Sequence, residues 1–163
     1  MCRSYKKKRV TARKDAVLIT PPRRVEIIDQ MSDFFQTELV KDRRGNEYVL
    51  LKSLDWHFGE SSNEPDDKTA FEAGQNHIHI LDNLSRVELK YLRTTAQNLC
   101  DGILSMLCGL YPNKQFFVYA SASLHDSFIV RFHQAWPGEP AYFEGFPSTK
   151  KEWVCCSHNF ELS

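Results

Sequence analysis

Two histidines one residue apart, His77 and His79, flank Ile78. Side chains on a strand alternate with period two, so both imidazoles stand on one face, an arrangement that suits a divalent metal. Asp82 follows closely. A zinc site needs three or four ligands, and the chain offers no clear third. His77 and His79 are therefore candidate ligands, and no metal or other cofactor is expected. The plainer alternative is a sheet face whose histidines bond neighbouring polar groups or water.

Arg131 and His133 repeat the spacing, with Tyr119 and Glu139 not far along the chain. Metal-independent ribonucleases use His, Arg, Glu or Tyr as acid, base and phosphate clamp. His133 and Arg131, with Glu139 or Tyr119, are candidate catalytic residues of that kind. If a helix covers their face, both need partners; if the face is open, they line a cationic groove. His125-Asp126-Ser127 holds the residue types of a hydrolase triad, but triad members come from separate loops. Asp126 and Ser127 read better as turn formers.

Five cysteines, Cys2, Cys100, Cys108, Cys155 and Cys156, make an odd count without a Cys-x-x-Cys. Cys100 and Cys108 fall on one predicted helix, where eight residues rise about 12 Å, too far for a bridge. No disulfide framework is expected, and Cys155 and Cys156 read as ordinary thiols in a reducing cytoplasm.

Charge is unevenly distributed. Lys and Arg number 21, as do Asp and Glu, for a net charge of +0, yet residues 1–24 hold nine basic side chains and the single acid Asp15. That segment is +8 and the remaining 139 residues are −8. Lys6, Lys7, Lys8 and Arg9 are candidate nucleic-acid contacts through phosphate neutralisation. Residues 60–72 carry Glu60, Glu64, Asp66, Asp67 and Glu72 against Lys68, a net −4, and read as a solvated loop. Glu60, Glu64, Asp66 and Asp67 are candidate contacts for a basic protein partner.

These residues need elements to hold them. Residues 1–15 lack apolar periodicity and read as a mobile basic arm, leaving 16–163 as one domain. Val25, Ile28, Met31, Phe35 and Leu39 recur at helical spacing and predict a short N-terminal helix. Glu47 to Leu51 and His77 to Leu81 read as strands, and Glu60 to Phe71 as a loop. Ser85 and Glu88 form a capping box before a stripe running Leu89, Leu92, Ala96, Leu99, Ile103, Leu107 and Leu110. This predicts a long central helix over 86–110. Residues 116–124 and 128–136 alternate as two antiparallel strands, and Ala141-Tyr142-Phe143 begins a third. The fold class is α+β: a mainly antiparallel sheet packed on one long central helix and a shorter N-terminal helix. No apolar run is long enough for a membrane span or a secretory leader.

The segment from Tyr119 to Tyr142, with the helix before it, resembles small uncharacterised bacterial proteins, some of them like the immunity partners of secreted toxins. The likeness covers about half the chain, rests on general layout and carries over no site residue. It implies a cytosolic inhibitor that binds a toxin domain. The leading expectation is a non-enzymatic, cytoplasmic protein-binding domain. The alternatives are a small metal-binding or RNA-cleaving enzyme, and a nucleic-acid binder working through the arm.

Overall fold

A computed structural model describes residues 35–52, 65–144 and 148–160. The basic-arm candidates Lys6, Lys7, Lys8 and Arg9, the acids Glu60 and Glu64, and Val25, Ile28 and Met31 lie outside the described residues.

Among the described residues, the fold comprises two antiparallel sheets and two helices. Strands β1 (Thr37–Lys41) and β2 (Glu47–Leu51) make a hairpin. Helix α1 (Lys68–Gln75) leads into β3 (His77–Asp82), and the long helix α2 (Arg86–Leu110) follows. Strands β4 (Phe116–Ser123), β5 (Ser127–Gln134) and β6 (Glu152–His158) complete a four-stranded antiparallel sheet of order β3-β5-β4-β6.

Helix α2 begins at the predicted capping box. The Glu88 backbone N–H donates to Ser85 Oγ at 3.3 Å, and the Ser85 N–H donates back to Glu88 Oε2 at 2.9 Å. Its apolar stripe, including the fully buried Leu92, Ile103 and Leu107, packs on Phe116, Val118, Ala120, Phe128, Val130, Phe132 and Trp153 of the sheet. Each such side chain contributes about 1.5–3 kcal/mol through burial. Cys100 of α2 meets Cys155 of β6 in this layer, with the sulfurs 3.7 Å apart and both thiols free. Among the described residues, no helix is long and apolar enough to cross a membrane.

Three local expectations are corrected. Phe35 and Leu39 are not helical: Leu39 lies in β1, opposite Val49. Pairing with the buried Tyr48-Val49-Leu50 run overrides the helical spacing. The predicted 60–71 loop ends early, because the Asp67 side chain accepts from the Ala70 N–H at 2.7 Å and caps α1. No strand starts at Ala141; residues 142–144 form a turn, and β6 is the partner of β4 instead.

Helix α1 also shields the second edge of β2. Glu72, read in sequence among the solvated acids, is fully buried. Its Oε1 accepts from Val49 N at 2.9 Å and from Gln134 Nε2 at 2.6 Å. Its Oε2 accepts from Gln134 N at 2.7 Å and Trp136 Nε1 at 3.0 Å. Burial pushes this carboxyl group upward in pKa, and the hydrogen bonds oppose that shift. One turn on, Asn76 Nδ2 donates to Val49 O and Asn76 Oδ1 accepts from Leu51 N, both at 2.8 Å. Glu72 of α1 and its C-terminal cap Asn76 thus fill strand hydrogen-bonding positions and close an edge that would otherwise recruit another chain.

Candidate functional site

The strand register decides which side chains share the sheet face turned away from α2. Phe117 lies opposite His133 and His158; Tyr119 lies opposite Arg131 and Cys156; Arg131 lies opposite His77. With α2 on the other face, this one is open to the chain that follows β5. Residues 135–144 return over it through turns in which Glu139 N bonds Trp136 O and Glu144 N bonds Ala141 O. Between this segment, the sheet, the start of α1 and Phe160 lies a cavity of about 870 Å³. Its size falls in the range of small-ligand pockets, roughly 300–1,000 Å³.

Aromatic rings dominate the lining. Phe117, Tyr119 and His133 run within 35° of parallel, with centroids 5.1–5.9 Å apart. Phe143 stands at 75° to Tyr119, and Phe160 at 87° to Phe117. Trp136, Glu139, Glu144 and Thr69 contribute to the rim and walls, and among the described residues no Lys or Arg does. The groove is therefore acidic and aromatic rather than cationic.

His133 and Tyr119 do come together, as their positions on adjacent strands require. His133 is 1% exposed. Its Nδ1–H donates to the Gln134 carbonyl at 2.7 Å, which leaves Nε2 as an acceptor. The Tyr119 hydroxyl and the Tyr142 N–H both approach that nitrogen at 3.4 Å. Burial pushes the imidazole pKa down and the Tyr119 phenol up, so both stay neutral. The other two members of the sequence-derived set are engaged elsewhere. Arg131 lies over the rings of Tyr142 and Phe143, its Cζ 5.1 and 5.2 Å from their centroids. Glu139 accepts from the Thr69 N–H at 2.7 Å and the Lys68 N–H at 3.3 Å, which fixes the start of α1.

The depressed His133 pKa has a sign that can be worked out. An unfolded chain protonates this imidazole near its ordinary pKa of 6.5, whereas burial in the folded protein lowers that pKa. Its contribution to stability is present above that pH and is lost as the pH falls toward the lowered folded value. The fall in unfolding free energy between about pH 7 and pH 5 is expected to be smaller in His133→Gln than in wild type, as measured by urea titration. Equal losses in the two proteins would contradict this assignment.

The remaining candidates do not join this site. His77 and His79 sit on β3 with ring centroids 5.6 Å apart. His77 Nδ1 donates to the Gly74 carbonyl, and His79 Nδ1 lies 3.5 Å from Asp82 Oδ1. Among the described residues, no three His, Cys, Asp or Glu side chains are placed to hold a metal. His125 and Asp126 form the β4–β5 turn, where His125 takes a positive φ of 64°. Asp66 and Asp67 are exposed just before α1, separated from the cavity residue Thr69 by Lys68. Sequence reading missed Thr69, Trp136, Phe143, Glu144 and Phe160. The alternation of Phe117 and Tyr119 on the face opposite the core was the available signal for an aromatic patch. No family model matches this sequence, and no curated protein or solved structure matches it.

Proposed function

We propose that this chain is a non-enzymatic protein-binding domain whose partner presents a basic surface to the acidic rim of the open-face cavity. The observation that carries the reading is the cavity lining: among the described residues, aromatic walls with Glu139 and Glu144 and neither Lys nor Arg. Asp66 and Asp67 add two exposed carboxylates just before α1. Opposite charge speeds docking, and like charge disfavours the wrong partners. Binding is favoured over RNA cleavage because the residues that cleavage needs are already engaged. The His133 acceptor nitrogen faces two donors, Arg131 is stacked on rings, and Glu139 holds the start of α1. In the form that the resemblance of residues 119–142 suggests, the partner is a basic toxin domain and the chain is its cytosolic inhibitor.

Capture on the immobilised full chain from nuclease-treated lysate tests this, with wild type beside Asp66→Lys/Glu144→Lys. One stoichiometric protein is expected on wild type and at least tenfold less on the variant. Equal recovery on both overturns the proposed surface. Material lost on nuclease treatment moves the function to the basic arm.

A further inference from the structure

We propose that a second cavity, on the α2 side of the sheet, binds a phosphate monoester carried on a compact apolar body. Among the described residues, this cavity shares none with the open-face cavity. Its volume is about 500 Å³, within the small-ligand range of roughly 300–1,000 Å³. Arg86, Lys90 and Arg93 stand at i, i+4 and i+7 in the first turns of α2 and so share one helix face. Lys150 and Lys151 join them from the turn before β6. That turn is fixed: Thr149 N–H donates to the Glu152 carbonyl at 2.6 Å, and Thr149 Oγ1 accepts from the Lys151 N–H at 3.2 Å. Arg93 Nη1 donates to the Thr149 carbonyl at 3.2 Å, and Leu124 N–H to the Lys151 carbonyl at 2.8 Å. These bonds tie the turn to α2 and to the end of β4, so five exposed cations surround one opening.

This charge arrangement works against the fold. Like charges three and four residues apart destabilise a helix, and Arg86, the first residue of α2, meets the positive end of the helix dipole. Among the described residues, no carboxylate pairs with Arg86, Lys90, Lys150 or Lys151. An anion in the opening offsets the repulsion. A phosphate monoester carries about −1.5 to −2 charge at pH 7 and three acceptor oxygens, so it meets several cations at once, whereas a carboxylate brings a single charge. The floor selects the carrier. Leu89 and Trp153 are buried, and the half-buried Leu124 offers accessible apolar surface. The aliphatic stems of the lysines and arginines continue that surface toward the rim. Inorganic phosphate leaves it in water. A nucleic-acid backbone, with its charges spread along an extended ridge, engages the cations without filling the cavity.

The test is a titration of the isotope-labelled full chain with 1-naphthyl phosphate, followed by amide chemical shifts. Saturable shifts are expected at Leu89, Lys90, Leu124, Lys151 and Trp153. Two controls separate charge from carrier: 1-naphthyl sulfate keeps the carrier with one charge, and inorganic phosphate keeps the anion without a carrier. Each is expected to bind about tenfold more weakly. Lys150→Glu changes one exposed side chain and is expected to weaken binding roughly fivefold without moving the unfolding midpoint. Lys52→Glu makes the same charge change on an exposed residue outside the cavity and should leave the affinity as in wild type. Absence of saturable shifts, equal affinity for either control, or equal losses in Lys150→Glu and Lys52→Glu overturns the assignment. A DNA duplex that shifts the same amides at lower concentration than 1-naphthyl phosphate also overturns it and makes this face a nucleic-acid contact.

Discussion

Glu72→Ala is expected to lower the unfolding free energy by roughly 3–5 kcal/mol, because several buried donors, at about 1–3 kcal/mol for each one left unsatisfied, lose their acceptor at once. The substitution leaves Val49 N, Gln134 N, Gln134 Nε2 and Trp136 Nε1 without their common acceptor. These donors come from β2, from the end of β5 and from the segment that forms the cavity wall. The loss therefore loosens the hairpin from the main sheet and Trp136 from its position together. Glu72→Gln keeps the volume and one acceptor oxygen, and should lose about half as much. Asp66→Ala, on an exposed side chain, should stay within about 0.5 kcal/mol. Denaturant titration of the three variants checks the ranking. A Glu72→Ala loss below about 1 kcal/mol would mean that water replaces the carboxylate and that the clasp is not structural.

The second large effect is oxidative. The Cys100 and Cys155 sulfurs, 3.7 Å apart, need to approach by less than 2 Å to reach disulfide length. Contact with the Cys100 thiol holds the Cys155 thiol below its usual pKa, and the thiolate is the reactive form. Treatment with the two-electron oxidant diamide is expected to remove two hydrogens, join the sulfurs and reduce diamide to its hydrazine. The pair is separated by 55 positions. In the chain-entropy model, closing a loop of that size stabilises the fold by about 4 kcal/mol before strain is subtracted. The expected result is a mass loss of two hydrogens mapped to the Cys100 and Cys155 peptides and a higher unfolding midpoint. Both should be absent in Cys100→Ser. A bridge formed instead between Cys155 and Cys156, or a lowered midpoint, would contradict the packing described for α2 and β6.

The parts of the fold visible in the sequence are those in which local signals agree with the final packing. The Ser85–Glu88 box and the Leu89-to-Leu107 stripe define α2 because cap and periodicity coincide. The β4–β5 hairpin is legible because Phe116 to Ser123 and Ser127 to Gln134 alternate cleanly around a polar turn. Leu39 misleads because a spacing of four residues suits a helix, while its strand state depends on pairing with Val49. Glu72 misleads more deeply. A carboxylate among acids reads as solvated, and only tertiary structure gathers four donors around it. The same holds for the cavity. Tyr119 and His133 sit diagonally on neighbouring strands of one face, but Trp136, Phe143 and Phe160 reach them through turns and a distant strand end. Arg131 and Glu139 have the residue types for phosphate chemistry, and their actual partners were invisible to spacing.

The most direct measurement of the central claim is a hydrogen-exchange footprint on the complex captured from nuclease-treated lysate. Slowed exchange is expected across residues 65–72 and 137–144, the acidic rim and wall of the open-face cavity. The outer side of α2, around the exposed Val87 and Leu110, should be unchanged. Protection confined to α2 or to the β1–β2 hairpin, with the cavity segments exchanging as in the free protein, would contradict the account.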